Sequence, residues 1–217
     1  MKKRNFLSMI AATLVLGLAG VSPAQAQYAV VPGRDFKPIQ PAQPTDSAGK
    51  IEVLEFFSYG CIHCAHFHPV VSKWAAALPA DVAFKRVPVS FGRAPWRNLS
   101  RLFYAAEATG TLPKVDSAAF DAIHQKGVKL YDDGTIAEFA AQQGLDARRF
   151  ADAYGSREVA EKVQRADQMT NAYRIEGTPS ITVDGRYLVP TEGIKDWDDY
   201  IGRVNRVIAK LRSERKK

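Results

Sequence analysis

Cys61 and Cys64 stand three positions apart in a 217-residue chain that contains no other cysteine. A pair at this spacing has three uses: a disulfide that opens and closes during a reaction, a soft-metal site, or a structural staple. The staple is the poorest of these. Closing so short a loop stabilises a fold by only about 2 kcal/mol, and exported scaffolds spread their cysteines widely. Redox exchange fits the surroundings better. Ser58-Tyr59-Gly60 breaks an apolar run, and a helical pattern begins at Cys61. A helix N-terminus offers unpaired N–H groups and a partial positive charge, which stabilise a thiolate. Cys64 lies one turn further in, near enough to bond to Cys61 but shielded by the helix. The spacing therefore predicts an exposed attacking sulfur at Cys61 and a recessed resolving sulfur at Cys64.

The histidines nearby bear on the same choice. His63, between the cysteines, can donate a hydrogen bond toward the Cys61 sulfur and lower its pKa; the plainer reading is an exposed polar residue in a first helical turn. Cys61, Cys64 and His68 share a helical face, which raises the metal site. Cys61 and His68 are two turns apart, however, too far for one compact tetrahedral centre. A solvated helix flank accounts for His66 and His68, and neither a metal nor a bound cofactor is expected.

These side chains need a strand to deliver them and a helix to carry them. Ile51 to Phe57 is apolar and β-favouring, with one acid, Glu55, in its interior. Cys61 to Leu78 reads as a helix that Pro69 would kink, and Val82 to Val89 as the next strand. No strand is convincing from Pro95 to Tyr173. Helical patterns run over 96–109, 115–126, 135–143, 147–154 and 157–173. Gly110, Gly127, Gly144 and Gly155 close the first four, and Asp146 and Ser156 are N-caps for the last two. Ser180 to Val183 and Arg186 to Val189 then form a hairpin on a two-residue Asp184-Gly185 turn, and an amphipathic helix ends the chain. Residues 27–50, rich in proline, read as an extended lead-in with a short edge strand near 35–38. Thr178-Pro179 opens the hairpin, where a proline without an N–H is tolerated.

The compartment is read from the N-terminus. Lys2, Lys3 and Arg4 precede an apolar run to about Gly20, and Ala24 and Ala26 occupy the positions an exporting peptidase reads. Residues 1–26 are thus expected to be a signal peptide cleaved after Ala26, since the run is too short for a bilayer anchor. Its loss would take the formal charge from +7 to about +4. The remaining bases are dispersed apart from the terminal run from Arg212, so neither a basic stripe nor a motif points to nucleic acid.

Strand, C-x-x-C, proline-containing helix, helical insertion, then Thr-Pro and a hairpin: this order resembles the thioredoxin superfamily. The run Glu55-Phe56-Phe57-Ser58-Tyr59-Gly60-Cys61-Ile62-His63-Cys64 resembles its DsbA branch, the bacterial disulfide donors. The resemblance spans essentially the whole mature chain. It implies an α/β thioredoxin fold, residues 51–94 and 175–217, with an inserted all-helical domain over 95–174. It further implies a cis Pro179 packed against the disulfide and Thr178 offering backbone groups to a bound peptide. Glu55 would be the buried acid beneath the resolving cysteine, a proton acceptor for Cys64; the alternative is an edge-strand residue facing solvent. Ile62 stands where many relatives have proline, and with Pro179 it would border an apolar groove. The implied activity is donation of the Cys61–Cys64 disulfide, through a mixed disulfide, to unfolded exported polypeptides with free cysteines. Reoxidation would fall to a DsbB-type, quinone-coupled inner-membrane partner in the periplasm. A reductase or isomerase of the same fold and a Cys/His metal-binding module stand as alternatives.

Overall fold

The computed structural model describes residues 30–216. The expected leader and its cleavage after Ala26 lie outside the described residues. A five-stranded sheet is built from β1 (Lys37–Pro38), β2 (Ile51–Phe57), β3 (Val82–Pro88), β4 (Ser180–Val183) and β5 (Tyr187–Val189). Its order is β1-β5-β4-β2-β3. Only the β2–β3 pair is parallel, and a parallel pair needs a crossover. Helix α1 (Ile62–Ala76) supplies it, with Pro69 inside the helix.

Strand β2 is central, and all seven of its residues are buried. That is why it reads as a continuous apolar run rather than an alternating one. Ile51 and Val53 pack with α1 and the last helix α7 (Trp197–Arg215), whereas Leu54 and Phe56 pack on the opposite face with Ala166 and Tyr173. Glu55 follows the Ile51–Val53 face by alternation. It is completely buried, not at a solvent-facing edge.

Five helices fall between β3 and β4: α2 (Ala94–Ala108), α3 (Leu112–His124), α4 (Asp133–Gln142), α5 (Ala147–Tyr154) and α6 (Arg157–Ala172). Asp146 and Ser156 cap α5 and α6 by accepting from the Arg149 and Val159 N–H groups, 2.8 and 3.1 Å away. Gly110, Gly127 and Gly144 follow their helices at positive φ, but Gly155 stays right-handed at φ −86 because α6 starts almost at once. The apolar core of this block is continuous with the sheet. Leu99, Leu102, Phe103 and Phe120 pack in one cluster with Phe57, Tyr59, Cys61 and Cys64.

The hairpin departs from the two-residue loop that Asp184-Gly185 suggests. Val183 pairs with Tyr187, so three residues separate the paired ends. Asp184 and Gly185 both have positive φ, and the Arg186 N–H closes on the Val183 carbonyl at 3.1 Å. The tip is occupied by the lead-in segment: the Gln43 N–H bonds to the Gly185 carbonyl at 2.9 Å, and a side-chain carbon on Gly185 would run into the Gln43 carbonyl. Gly185→Ala should therefore lower stability by about 2 kcal/mol or more, through left-handed strain plus this clash. Urea melts check it; an unchanged midpoint would show that the lead-in does not pin the hairpin.

Candidate active site

Cys61 is the N-cap residue of α1, in extended conformation at φ −97 and ψ 118. No side chain caps the first turn, and no acid lies within it. The free N–H groups of that turn are thus available to an anion at the cap. The Tyr59-Gly60-Cys61 approach is closely packed. A side-chain carbon on Gly60 would lie 2.7 Å from Trp96 Nε1, so the indole needs a glycine beneath it. His124 Nε2 donates to the Tyr59 carbonyl at 2.8 Å from the end of α3.

Cys61 is buried, at 9% exposure, rather than exposed as its spacing predicts, because the inserted helices pack over it, and the two sulfurs differ in proton affinity. The Cys61 thiol is pulled down from its ordinary 9.0 to about 5. The largest cause is the hydrogen bond from the Cys64 thiol, which acts against the upward push of burial; the Thr178 side chain and the backbone N–H groups of Cys64 and His63 add to it. In its protonated form Cys61 donates to the Thr178 carbonyl, 3.3 Å away. Cys64 is fully buried, and burial, together with its donation to Cys61, pushes its thiol well above 9.0. One sulfur favours the thiolate and its neighbour holds the proton.

Of the histidine expectations, the one for His68 changes. The His63 ring is exposed and makes no hydrogen bond to a described residue; its backbone N–H serves the Cys61 sulfur. His68 is not a solvated flank. It is buried, with Nε2 3.1 Å from Ser117 Oγ, Nδ1 3.2 Å from Ser72 Oγ, and its ring 5.0 Å from that of Phe120. The inserted helices cover that side of α1, which the α1 sequence does not record. Of the two flank histidines, His66 is exposed as expected. Among the described residues no cluster of three or more His, Cys, Asp or Glu is placed to hold a metal ion.

Beneath the cysteines lies a buried charge cluster. Arg86 Nε donates to Glu55 Oε2 at 2.7 Å, while Arg86 Nη1 donates to both oxygens of Asp116 at 2.6 Å. The guanidinium also lies over the Phe57 ring, 3.7 Å from its centre. Tyr59 OH donates to Asp116 Oδ1 at 2.8 Å, and His68 Nε2 is 3.8 Å from Asp116 Oδ2. Burial raises the Glu55 carboxyl above its usual range, more than Arg86 lowers it. Sequence reasoning missed Arg86, Asp116, Tyr59 and His124. Arg86 had a readable signal: an acid inside a buried strand needs a cation, and Glu55 and Arg86 are register partners in the parallel pair. Asp116 and His124 had none.

The Thr178–Pro179 peptide is cis, Pro179 is buried and Thr178 half-buried. They wall a groove of about 450 Å³ together with His63 and Trp197. The groove is not uniformly apolar, because Lys37, Glu176 and Glu192 also line it. Ile62, 41% exposed, is outside its walls.

The chain matches the family model described as a DSBA-like thioredoxin domain over residues 52–202. It is 39% identical to the thiol:disulfide interchange protein DsbA of Azotobacter vinelandii over 187 residues, which is 86% of this chain and 87% of that protein. To the protein of the same name from Burkholderia cepacia it is 40% identical over 188 residues, 86% of each. Among solved structures, that of Pseudomonas aeruginosa DsbA superposes with a TM-score of 0.82 at 32% identity, covering 86% of this chain and 97% of that one.

The two thiols contribute to the pH dependence of the reduced form with opposite signs. Cys61, lowered from 9.0 to about 5, contributes stability that is complete above 9 and disappears as pH falls through 5. Cys64, raised, contributes in the opposite sense, but its contribution is lost only above 9. Urea midpoints of the reduced protein should therefore fall between pH 8 and pH 4, and thiolate absorbance should titrate near 5. A Cys61 midpoint above 8 would contradict the site geometry.

Proposed function

The chain belongs to the DSBA-like thioredoxin-domain family and is a thiol–disulfide oxidoreductase that donates disulfides; from that premise we propose how its own residues share the work. A substrate thiolate attacks the Cys61 sulfur of the Cys61–Cys64 disulfide. The S–S bond breaks, Cys61 becomes bonded to the substrate, and Cys64 leaves as a thiolate that takes a proton. Glu55 is the buried carboxyl that supplies that proton, and in the reverse direction it accepts the proton from Cys64. A second substrate thiolate then attacks the substrate sulfur of the mixed disulfide. The substrate leaves oxidised and Cys61 departs as a thiolate.

The observation that carries this reading is the split between the sulfurs: Cys61 lowered to about 5, Cys64 held as a thiol. Stabilising the departing Cys61 thiolate favours the reduced enzyme and hence oxidation of the substrate. A reductase needs the reverse bias. The polypeptide lies in the groove beside Pro179, with Thr178 giving backbone groups to it and the exposed Ile62 and His63 following Cys61. The substrates are unfolded exported chains with free cysteines, and the reoxidant is a DsbB-type quinone-coupled membrane protein. The place of action is the periplasm, after cleavage behind Ala26.

Cys64→Ser has no disulfide to donate, but its Cys61 thiolate can still attack a disulfide of an exported protein, expelling a substrate thiolate. Without Cys64 to return onto it the mixed disulfide persists, so adducts should accumulate on a non-reducing gel. Cys61→Ser should abolish them. Equal trapping by both variants would overturn the assignment. The direction of the redox bias is read separately. The reduced protein should unfold at higher urea than the oxidised one at pH 7, opposite to the effect of a stapling disulfide. A more stable oxidised form would turn the reading to a reductase.

A further inference from the structure

Arg86 is shared in an unequal way. The side-on edge of a guanidinium, Nε with Nη2, matches both oxygens of a carboxylate. Here Glu55 engages Nε alone, and Glu55 Oε1 and Arg86 Nη2 are both buried without a hydrogen-bond partner. Each atom lacks what the other offers, yet they do not pair. The other side of the guanidinium explains why. Nη1 is held by both oxygens of Asp116, which is itself anchored by the Tyr59 hydroxyl. Asp116 comes from α3, in the inserted helices, and its side chain keeps 20% exposure where that of Glu55 has none.

We propose that Asp116 is a positioning residue: it draws Arg86 away from a two-point pairing with Glu55, leaving that carboxyl able to hold a proton for Cys64. The proposal rests on the reading of Glu55 as the proton partner of Cys64. A buried acid closed in a full fork with arginine stays ionised and has no proton to give. One whose cation is shared with a second carboxylate is compensated only in part. The charge of Asp116 acts on Glu55 in the same direction as the geometry. The other groups facing Glu55 are Arg86 on β3, Cys61 and Cys64 at the start of α1, Tyr59 before it, and Tyr200 on α7, while His68 faces Asp116 and Arg86. Arg86 is the one permanent cation among them, so its position decides the balance.

The test is a carbon-13 carboxyl titration of Glu55 in the reduced full-length protein. Asp116→Asn should lower the Glu55 midpoint by about one pH unit or more, as expected when a full guanidinium charge becomes available. Asp116→Ser, neutral and smaller, should do the same and serves if the first variant does not fold. Asp116→Glu keeps the charge and should stay near the parent. An unchanged or raised midpoint in the neutral variants overturns the proposal, as does an equal fall in Asp116→Glu, which would assign the effect to packing. Glu55→Gln separates the two readings. If it leaves the pH profile of disulfide exchange as in the parent, the proton role of Glu55 fails, while the carboxyl titration still decides the role of Asp116.

Discussion

Cys61 must carry negative charge at the start of α1, largely out of water, and then give it up. Fixed donors can do this because they are oriented before the charge arrives and need not reorganise as it leaves. The backbone N–H groups of the first turn are free, since no side chain caps the helix. The Cys64 thiol is a donor of the same kind, but its strength depends on remaining protonated, and burial secures that. The low affinity of one sulfur for its proton and the high affinity of the other are thus one arrangement viewed from two ends. Moving either sulfur would undo both.

Everything around that helix start holds it still. Strand β2 ends directly beneath it, paired on both sides by β3 and β4. Trp96 covers Gly60, and His124 grips the Tyr59 carbonyl. Both come from the inserted helices, whose apolar cluster includes the two cysteines themselves. The insertion is therefore part of the redox centre's packing. The same boundary carries the Glu55–Arg86–Asp116 cluster. Burying these charges is costly, and removing one partner from such a set strands another. A cluster of this kind is poorly explained as a device for stability.

The groove has a separate support. Arg203 on α7 is buried and donates to the carbonyls of Arg34, Pro190, Glu192 and Gly193 at 2.9–3.2 Å. It holds the loop after β5 against the lead-in segment. Tyr200 OH accepts from the Ile181 N–H at 2.9 Å and donates to the Val189 carbonyl at 3.2 Å, fixing the two strands that follow Pro179. Helix α7 is thus both a cover for the sheet and the brace for one wall of the groove. Its apolar face, with Val204, Val207, Ile208 and Leu211 buried, supplies the anchoring energy.

Local features were legible in the residues alone. The limits of β2, the start of α1 at Cys61 and the caps at Asp146 and Ser156 each depend on interactions spanning a few positions. The likeness to the DsbA branch supplied more, including the cis Pro179 and the burial of Glu55. Other features are set by contacts between residues far apart in the chain. His68 is buried because Ser117 and Phe120 of α3 lie over it, some fifty positions away. The hairpin takes three residues rather than two where Gln43 occupies its tip. The His63 backbone N–H reaches the Cys61 sulfur because of the path of the first turn. Asp116 enters the site only because the inserted helices fold back over β3. Periodicity and spacing report what a residue can do within its own turn or strand. Which distant charge meets it, and whether water reaches it, is settled only when the separate elements pack.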